Sequence, residues 1–316
     1  MRVAVYGAGG VGAFYGARLA AGGADVTLIA RGSHLAAIRD RGLTIIEPER
    51  SSHHVLRATD DPGEVGQVDV VLFCVKSYDT ESGAAQLPPL LDADTAVVSL
   101  QNGIENEETI AAAIGWEHVV GGAAYLFAGI REPGVVTASG PRGIVFGEWM
   151  GTGRTSRAEA LRAACERGGI GAVIAGDIRV AKWEKLTLLA ALSAMSAMVR
   201  LGLGEIVASD AARAMLRALM IEIHAVGRAA GVDLDDDLVE RQFSLVVAQA
   251  PDSAASLYRD LVHGHRMELQ ALQGAVVRLG RRHGIATPWM DAAYAVLEPW
   301  ALRNERPIHD RPRMPG

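Results

Sequence analysis

Three groups of residues in this 316-residue chain have types and spacings that suit chemistry. The first is Gly7-Ala8-Gly9-Gly10-Val11-Gly12, a G-x-G-x-x-G run that follows an apolar stretch, residues 3–6, and opens a helical pattern over 11–21. In that setting the first glycine permits a tight turn and the second lets backbone approach a pyrophosphate. The third lets the helix pack close to its strand, and the helix N-terminus faces the phosphates. The second group centres on Lys185 in Trp183-Glu184-Lys185-Leu186, which opens a helix made otherwise almost wholly of Leu, Ala, Ser and Met. A lysine at the start of a buried helix stands beside a core or a cleft, or pairs with a surface acid; the sequence leaves both open. Helical spacing puts Leu189 and Ser193 on roughly its face. The third group runs Ser256-Leu257-Tyr258-Arg259-Asp260, then His263-Gly264-His265-Arg266-Met267-Glu268. In one unbroken helix Glu268 is rotated about 120° from Ser256. A break at His263-Gly264, with a new helix starting near Glu268, removes that conflict and sets the carboxylate in a first turn, where the helix dipole favours an anion.

The glycine run, with Ala8 and Val11 in its variable positions, makes a dinucleotide the expected ligand, and the end of the next apolar run, residues 26–29, bears on which one. NAD-preferring sites carry an acid about 20 residues beyond the glycines, to accept from the ribose 2′-hydroxyl. Here Ala30 and Arg31 stand there, with His34 close by. A guanidinium forms charge-assisted bonds with a 2′-phosphate and stacks on adenine, so the cofactor expected is NADP(H). Ligands of open α/β sheets bind beyond the carboxyl ends of strands. Two further strand ends therefore matter: Val75-Lys76-Ser77 and Leu100-Gln101-Asn102-Gly103. Lys76 suits ribose or substrate oxygens, and Asn102 suits the nicotinamide side.

The elements that must position these residues change character along the chain. Residues 68–75 and 95–100 are continuous apolar runs like 3–6 and 26–29, as parallel strands buried on both faces require. Alternation with helical patterns predicts βαβ units in a doubly wound sheet. Strands over 119–130, 134–137 and 144–146, divided by Pro133-Gly134 and Gly140-Pro141, predict an antiparallel extension on the sheet edge. A helix over 157–167 and a short strand over 172–175 close this domain. From Ile178 onward no strand pattern is found; Leu269, Leu272, Val276 and Leu279 are spaced as a helix face. The expectation is thus an α/β fold with an N-terminal Rossmann-type domain over 1–176 and an all-α C-terminal domain over 177–316. A helix is expected to end at His283-Gly284, ahead of Pro288, and the stretch after Trp300, with Pro307, Pro312 and Pro315, to be loose.

Composition narrows the function classes. Hydrophobic residues at 49% and charged residues at 22% allow two sizeable cores. A formal net charge of −6 argues against a phosphate-backbone partner. Cys74 and Cys165 make no disulfide framework and suit reduced thiols in a cytoplasmic protein. The longest apolar run, 188–199, is too short for a membrane span, which needs roughly 20 residues.

In order and spacing the chain resembles the ketopantoate reductase (2-dehydropantoate 2-reductase) family over nearly its whole length. The resemblance rests on GAGGVG at 7–12, ARG at 30–32, VKSYDT at 75–80, QNG at 101–103, REPGVV at 131–136, WEKL at 183–186, SLYRD at 256–260 and RMEL at 266–269. It implies reduction of a 2-oxo acid by NADPH, with Lys185 as general acid, Glu268 and Ser256 on the substrate, and Lys76 and Asn102 beside cofactor and substrate. It implies a cleft lined by Lys76, Asn102, Lys185 and Glu268, and a small-molecule 2-oxo acid as partner; a homodimer is possible. Two departures bear on substrate: the family's asparagines four and eight residues after the lysine are Leu189 and Ser193 here, Ser193 taking the substrate-binding position, and its threonine before the glutamate is Met267. Hydride transfer to a carbonyl needs no metal. The alternatives are an NADP-dependent reductase of another small carbonyl or imine, and a noncatalytic NADP(H)-binding sensor.

Overall fold

The computed structural model describes residues 1–151, 154–248, 251, 253 and 255–311. Its contacts divide the chain into two compact units, Met1–Ala181 and Lys182–Gly316.

The first unit is built on a ten-stranded sheet. In chain order its elements are β1 (Arg2–Tyr6), α1 (Gly10–Ala21), β2 (Asp25–Ile29), α2 (Gly32–Arg41), β3 (Leu43–Glu47), β4 (Arg50–His54), β5 (Arg57–Thr59), β6 (Val70–Phe73), α3 (Thr80–Ala84), β7 (Ala96–Ser99), α4 (Asn106–Ile114), β8 (Val119–Glu132), β9 (Val135–Glu148), α5 (Ser156–Arg167) and β10 (Gly171–Ile174). The strand order is β4-β3-β9-β8-β7-β6-β1-β2-β5, with β10 beside β9. β1 pairs in parallel with β2 on one side and β6 on the other, so the chain reverses its direction of growth at β1. The continuous apolar runs have a direct cause. Val3 and Val5 of β1 face one buried cluster, with Phe14, Leu19 and Leu161, while Ala4 and Tyr6 face a second, with Leu87, Leu90 and Ile110. Alternate residues of a strand point to opposite faces, and both faces are covered.

Two expectations need correction. The β8–β9 hairpin is not at the sheet edge: β3 pairs in parallel with β9, and β4 lies antiparallel beyond β3. Nor does Gly140-Pro141 divide strands. β9 runs through it, and the register against β8 shifts there, with Gly140 at φ +90° and Arg142 at φ +62°. The extra residues are a bulge in one long ribbon.

α6 (Ile178–Val199) crosses the division between the units. The second unit continues with α7 (Leu203–Ala208), α8 (Asp210–Ala229), α9 (Leu238–Val247), α10 (Ser256–Val262), a π-helical turn over Gln270–Gly274, α11 (Ala275–His283) and α12 (Pro288–Glu305). Leu269, Leu272 and Val276 are fully buried. The break at His263-Gly264 is present, with Gly264 at φ +68°, and Gly284 ends α11 in the left-handed conformation. The stretch after Trp300 is ordered further than expected: α12 contains Pro299 and continues to Glu305. Pro312 and Pro315 lie outside the described residues. Among the described residues no helix is long and apolar enough to cross a membrane.

Candidate active site

In the first unit, parallel register aligns Tyr6 with Ile29 and Phe73, and Phe73 with Ser99, so β1, β2, β6 and β7 end at one edge. The glycine loop, Arg31, Lys76 and Asn102 all follow directly beyond that edge. Ile29 O accepts from both Gly7 N (3.1 Å) and Ala8 N (3.0 Å), which ties the loop to the end of β2. The glycines do different work. Gly7 has φ +93°, and a Cβ there would lie 2.7 Å from Val75 N. Gly12 packs helix on strand: a Cβ would meet Gly7 O at 2.5 Å. Gly10 lies under β8, where a Cβ would meet Gly129 N at 2.6 Å. A Cβ on Gly9, in contrast, would find nothing within 4 Å. Gly9 is also the N-cap of α1 and offers no side chain to it. The N–H groups of Gly10, Val11 and Gly12 have no intrahelical acceptor, the first helical bond being Ala13 N to Gly9 O. An open backbone surface at a helix N-terminus fits the pyrophosphate of a dinucleotide.

Gln101 positions the other two loops, a role the motif alone does not reveal. Buried, it donates through Nε2 to Val75 O (3.1 Å) and to Thr80 Oγ1 (2.8 Å). Thr80 Oγ1 in turn lies within hydrogen-bond distance of Ser77 O (2.8 Å) and Asn106 Oδ1 (3.2 Å), and Asn106 Nδ2 donates to Asn102 O (2.8 Å). The segments bearing Lys76 and Asn102 are thereby fastened to each other. A buried amide left without these partners costs about 1–3 kcal/mol.

Arg31 is exposed and donates through Nη2 to Asp79 Oδ2 at 2.8 Å. His34 does not join it: the imidazole is buried, and its Nδ1 accepts from Gly134 N at 3.0 Å, bracing the β8–β9 turn. Burial pushes the His34 pKa below its ordinary value. Desolvation likewise raises the thiols of Cys74 and Cys165 to about 12, which leaves neither a ready nucleophile.

In the second unit, Lys185 lies half-buried on α6 one turn after the buried Lys182. Desolvation and the like charge of Lys182 push the Lys185 pKa down to about 8, against the opposing attraction of Glu268. Residues 185 and 268 are therefore in electrostatic reach of each other, although 83 positions separate them. Glu268 is 5% exposed, and its carbonyl accepts from Leu272 N just ahead of the π turn, whose N-cap is Leu269. Single π turns recur at functional sites. Ser256 begins α10, whose Leu257 and Leu261 pack with Met267 and Leu269. Ser193, expected on the substrate, has its hydroxyl committed elsewhere. It is fully buried, donates to Ala190 O (3.2 Å) and accepts from Gln273 Nε2 (2.9 Å). Leu189 remains partly exposed. His265 and Glu268 have a ligand-like spacing, but among the described residues no three His, Cys, Asp or Glu side chains gather as a metal site.

Comparison with known proteins agrees with this layout. The family model described as ketopantoate reductase PanE/ApbA matches residues 3–151, and its C-terminal counterpart matches 177–300. A 2-dehydropantoate 2-reductase of Halobacterium salinarum is 33% identical over 291 residues, covering 91% of this chain and 95% of that protein. The crystal structure of a PanE/ApbA family ketopantoate reductase from Ralstonia eutropha superposes with a TM-score of 0.89 at 34% identity, covering 97% of this chain and all of the other. That of 2-dehydropantoate 2-reductase from Geobacter metallireducens gives 0.89 at 29% identity, over 95% and 99%. The chain is an oxidoreductase acting on CH–OH/C=O groups with a nicotinamide cofactor, and it belongs to the ketopantoate reductase family.

Proposed function

We propose that this enzyme uses NADPH to reduce a 2-oxo acid to the 2-hydroxy acid, the substrate being 2-dehydropantoate or a close analogue. The observation that carries the reading is Lys185, a lysine whose pKa is drawn down to about 8 beside a buried carboxylate. Bound NADPH supplies a hydride to the carbonyl carbon. Negative charge then builds on the carbonyl oxygen, where a cation stabilises it and gives up a proton. Lys185 is poised to do both near neutral pH, being mostly protonated there yet able to lose its proton. Glu268 holds the ammonium and offers an acceptor to a substrate hydroxyl, with Ser256 as a further ligand. The N–H groups of the glycine loop take the pyrophosphate, Arg31 the 2′-phosphate, and Lys76 and Asn102 the ribose and nicotinamide side.

Leu189 bears on which 2-oxo acid. An apolar side chain there leaves one oxygen of 2-dehydropantoate without a partner, and a missing hydrogen bond to a buried polar group costs about 1–3 kcal/mol. The expected substrate is accordingly less polar than 2-dehydropantoate. The test is NADPH oxidation across a panel of 2-oxo acids. Slow turnover of 2-dehydropantoate, improved by Leu189→Asn and exceeded with a less polar acid, supports both parts of the reading. Efficient turnover of 2-dehydropantoate overturns the preference for a less polar acid, and no oxidation with any 2-oxo acid overturns the whole.

A further inference from the structure

The residue that meets Arg31 is an acid supplied from across β1. Asp79 ends the short turn after β6 and occupies the N-cap position of α3, yet its side chain makes no cap hydrogen bond. An aspartate at an N-cap normally accepts from the helix N–H groups; this one turns instead to the guanidinium of Arg31, 2.8 Å away. Its place is fixed from beneath. Tyr6 and Phe73 stack with ring centroids 5.3 Å apart, and Gly83 of α3 sits against both rings, a Cβ there falling 3.0 Å from each. The phenol of Tyr6, which donates to Gln86 Oε1 at 3.0 Å, feels the charges of both Arg31 and Asp79. The adenosine end of the strand edge thus presents a cation and an anion side by side, the side chains being 86% and 24% exposed.

We propose that Asp79 is a cofactor-specificity residue that narrows the preference for NADPH over NADH, an inference that rests on the nucleotide reading of the glycine loop. Its carboxylate competes with the 2′-phosphate for Arg31 and repels that phosphate once it is bound. Toward NADH the same carboxylate accepts from the ribose 2′-hydroxyl, the work that an acid at the end of the second strand does elsewhere. An exposed ion pair is weak, so the phosphate displaces Asp79 from Arg31 at small cost, and the preference is reduced rather than reversed. The test is calorimetric titration with NADP+ and NAD+, which differ only in the 2′-phosphate. Asp79→Asn is expected to tighten NADP+ about five- to tenfold and to leave NAD+ unchanged or weaker. Asp79→Ala is expected to shift the ratio in the same direction, and Arg31→Ala in the Asp79→Asn background to abolish most of the gain. An unchanged ratio of dissociation constants in both folded Asp79 variants, with NADP+ still binding the parent, overturns the role of Asp79 alone. Failure of the parent protein to bind either nucleotide overturns the nucleotide reading and this inference with it.

Discussion

The strand edge of the first unit and the Lys185–Glu268 pair of the second are made of different material. The first is mostly backbone: four glycines within six residues, three of them hemmed in by different neighbours and Gly9 open, and a helix N-terminus whose donors need no side chain. The second is two side chains 83 positions apart, and its chemistry comes from burial, which moves a lysine from its ordinary range to about 8. A backbone site is written contiguously and tolerates change around it. A side-chain site is scattered, and each member is replaceable only at the expense of the reaction. The two should therefore fail in different ways when altered.

The largest failure is expected at Lys185. Lys185→Ala should lower turnover by roughly 10²–10⁴, the scale of a positioned proton donor. NADP(H) affinity, read by calorimetry, should stay near that of the parent, because the glycine loop and Arg31 are intact. Undiminished turnover would remove Lys185 from the mechanism and erase the contrast. Glu268→Gln belongs with it: loss of its attraction leaves desolvation and Lys182 to depress the lysine further.

The pH dependence sharpens the same point. A reduction that needs protonated Lys185 should decline about tenfold per pH unit above pH 8, whereas an ordinary lysine would hold the rate beyond pH 10. Oxidation of the 2-hydroxy acid needs the neutral amine and should rise through the same range. Stability follows the lowered pKa as well. Below pH 8 the lysine is charged both folded and unfolded, and burial of the charge is a net cost. Between about 8 and 10.5 the folded protein sheds the proton first, so stability increases with pH. A rate profile flat to pH 10 would contradict the assignment.

The glycine loop should break by a different route. Gly9→Ala places its Cβ in open space, so thermal stability is expected to be unchanged while dinucleotide affinity falls about tenfold or more through lost backbone contacts. Gly12→Ala drives a methyl to 2.5 Å from Gly7 O and should destabilise the first unit by about 1–3 kcal/mol. Equal stability losses in both variants would mean that Gly9 is a structural glycine and not part of a ligand surface.

What the sequence made legible divides along similar lines. The buried parallel strands were readable because both their faces are apolar, and the loop because its glycines are adjacent. The β3–β4 hairpin escaped notice because Arg50-Ser-Ser-His-His is an edge strand exposed along much of its length, and such a strand looks like loop. Gly140-Pro141 reads as a turn until the register shows a bulge. The stretch after Trp300 reads as loose, although α12 carries on through it to Glu305. The Arg31–Asp79 pair and the Gln101 bridge join segments 48 and 26 residues apart, and nothing local signals either. Lys185 was visible as a candidate, but only its surroundings separate a proton donor from a surface cation.

The smallest effect concerns Ser193, and it decides where the side-chain site stops. Spacing from Lys185 suggests a substrate ligand, while the hydroxyl is engaged by Ala190 O and Gln273 Nε2. Gln273 is fully buried, its Nε2 also donates to Ala190 O at 2.9 Å, and its Oε1 lacks a hydrogen-bond partner. Ser193→Ala removes one of two acceptors from that amide, so the loss is one net hydrogen bond, about 1 kcal/mol of stability. The amide keeps its bond to Ala190 O, and the π turn that follows Glu268 keeps its anchor on α6. If the hydroxyl serves only this packing, KM for the 2-oxo acid should remain within about twofold of the parent while Tm falls by a few degrees. A tenfold rise in KM at unchanged Tm would instead make Ser193 a substrate ligand and extend the side-chain site two turns further along α6.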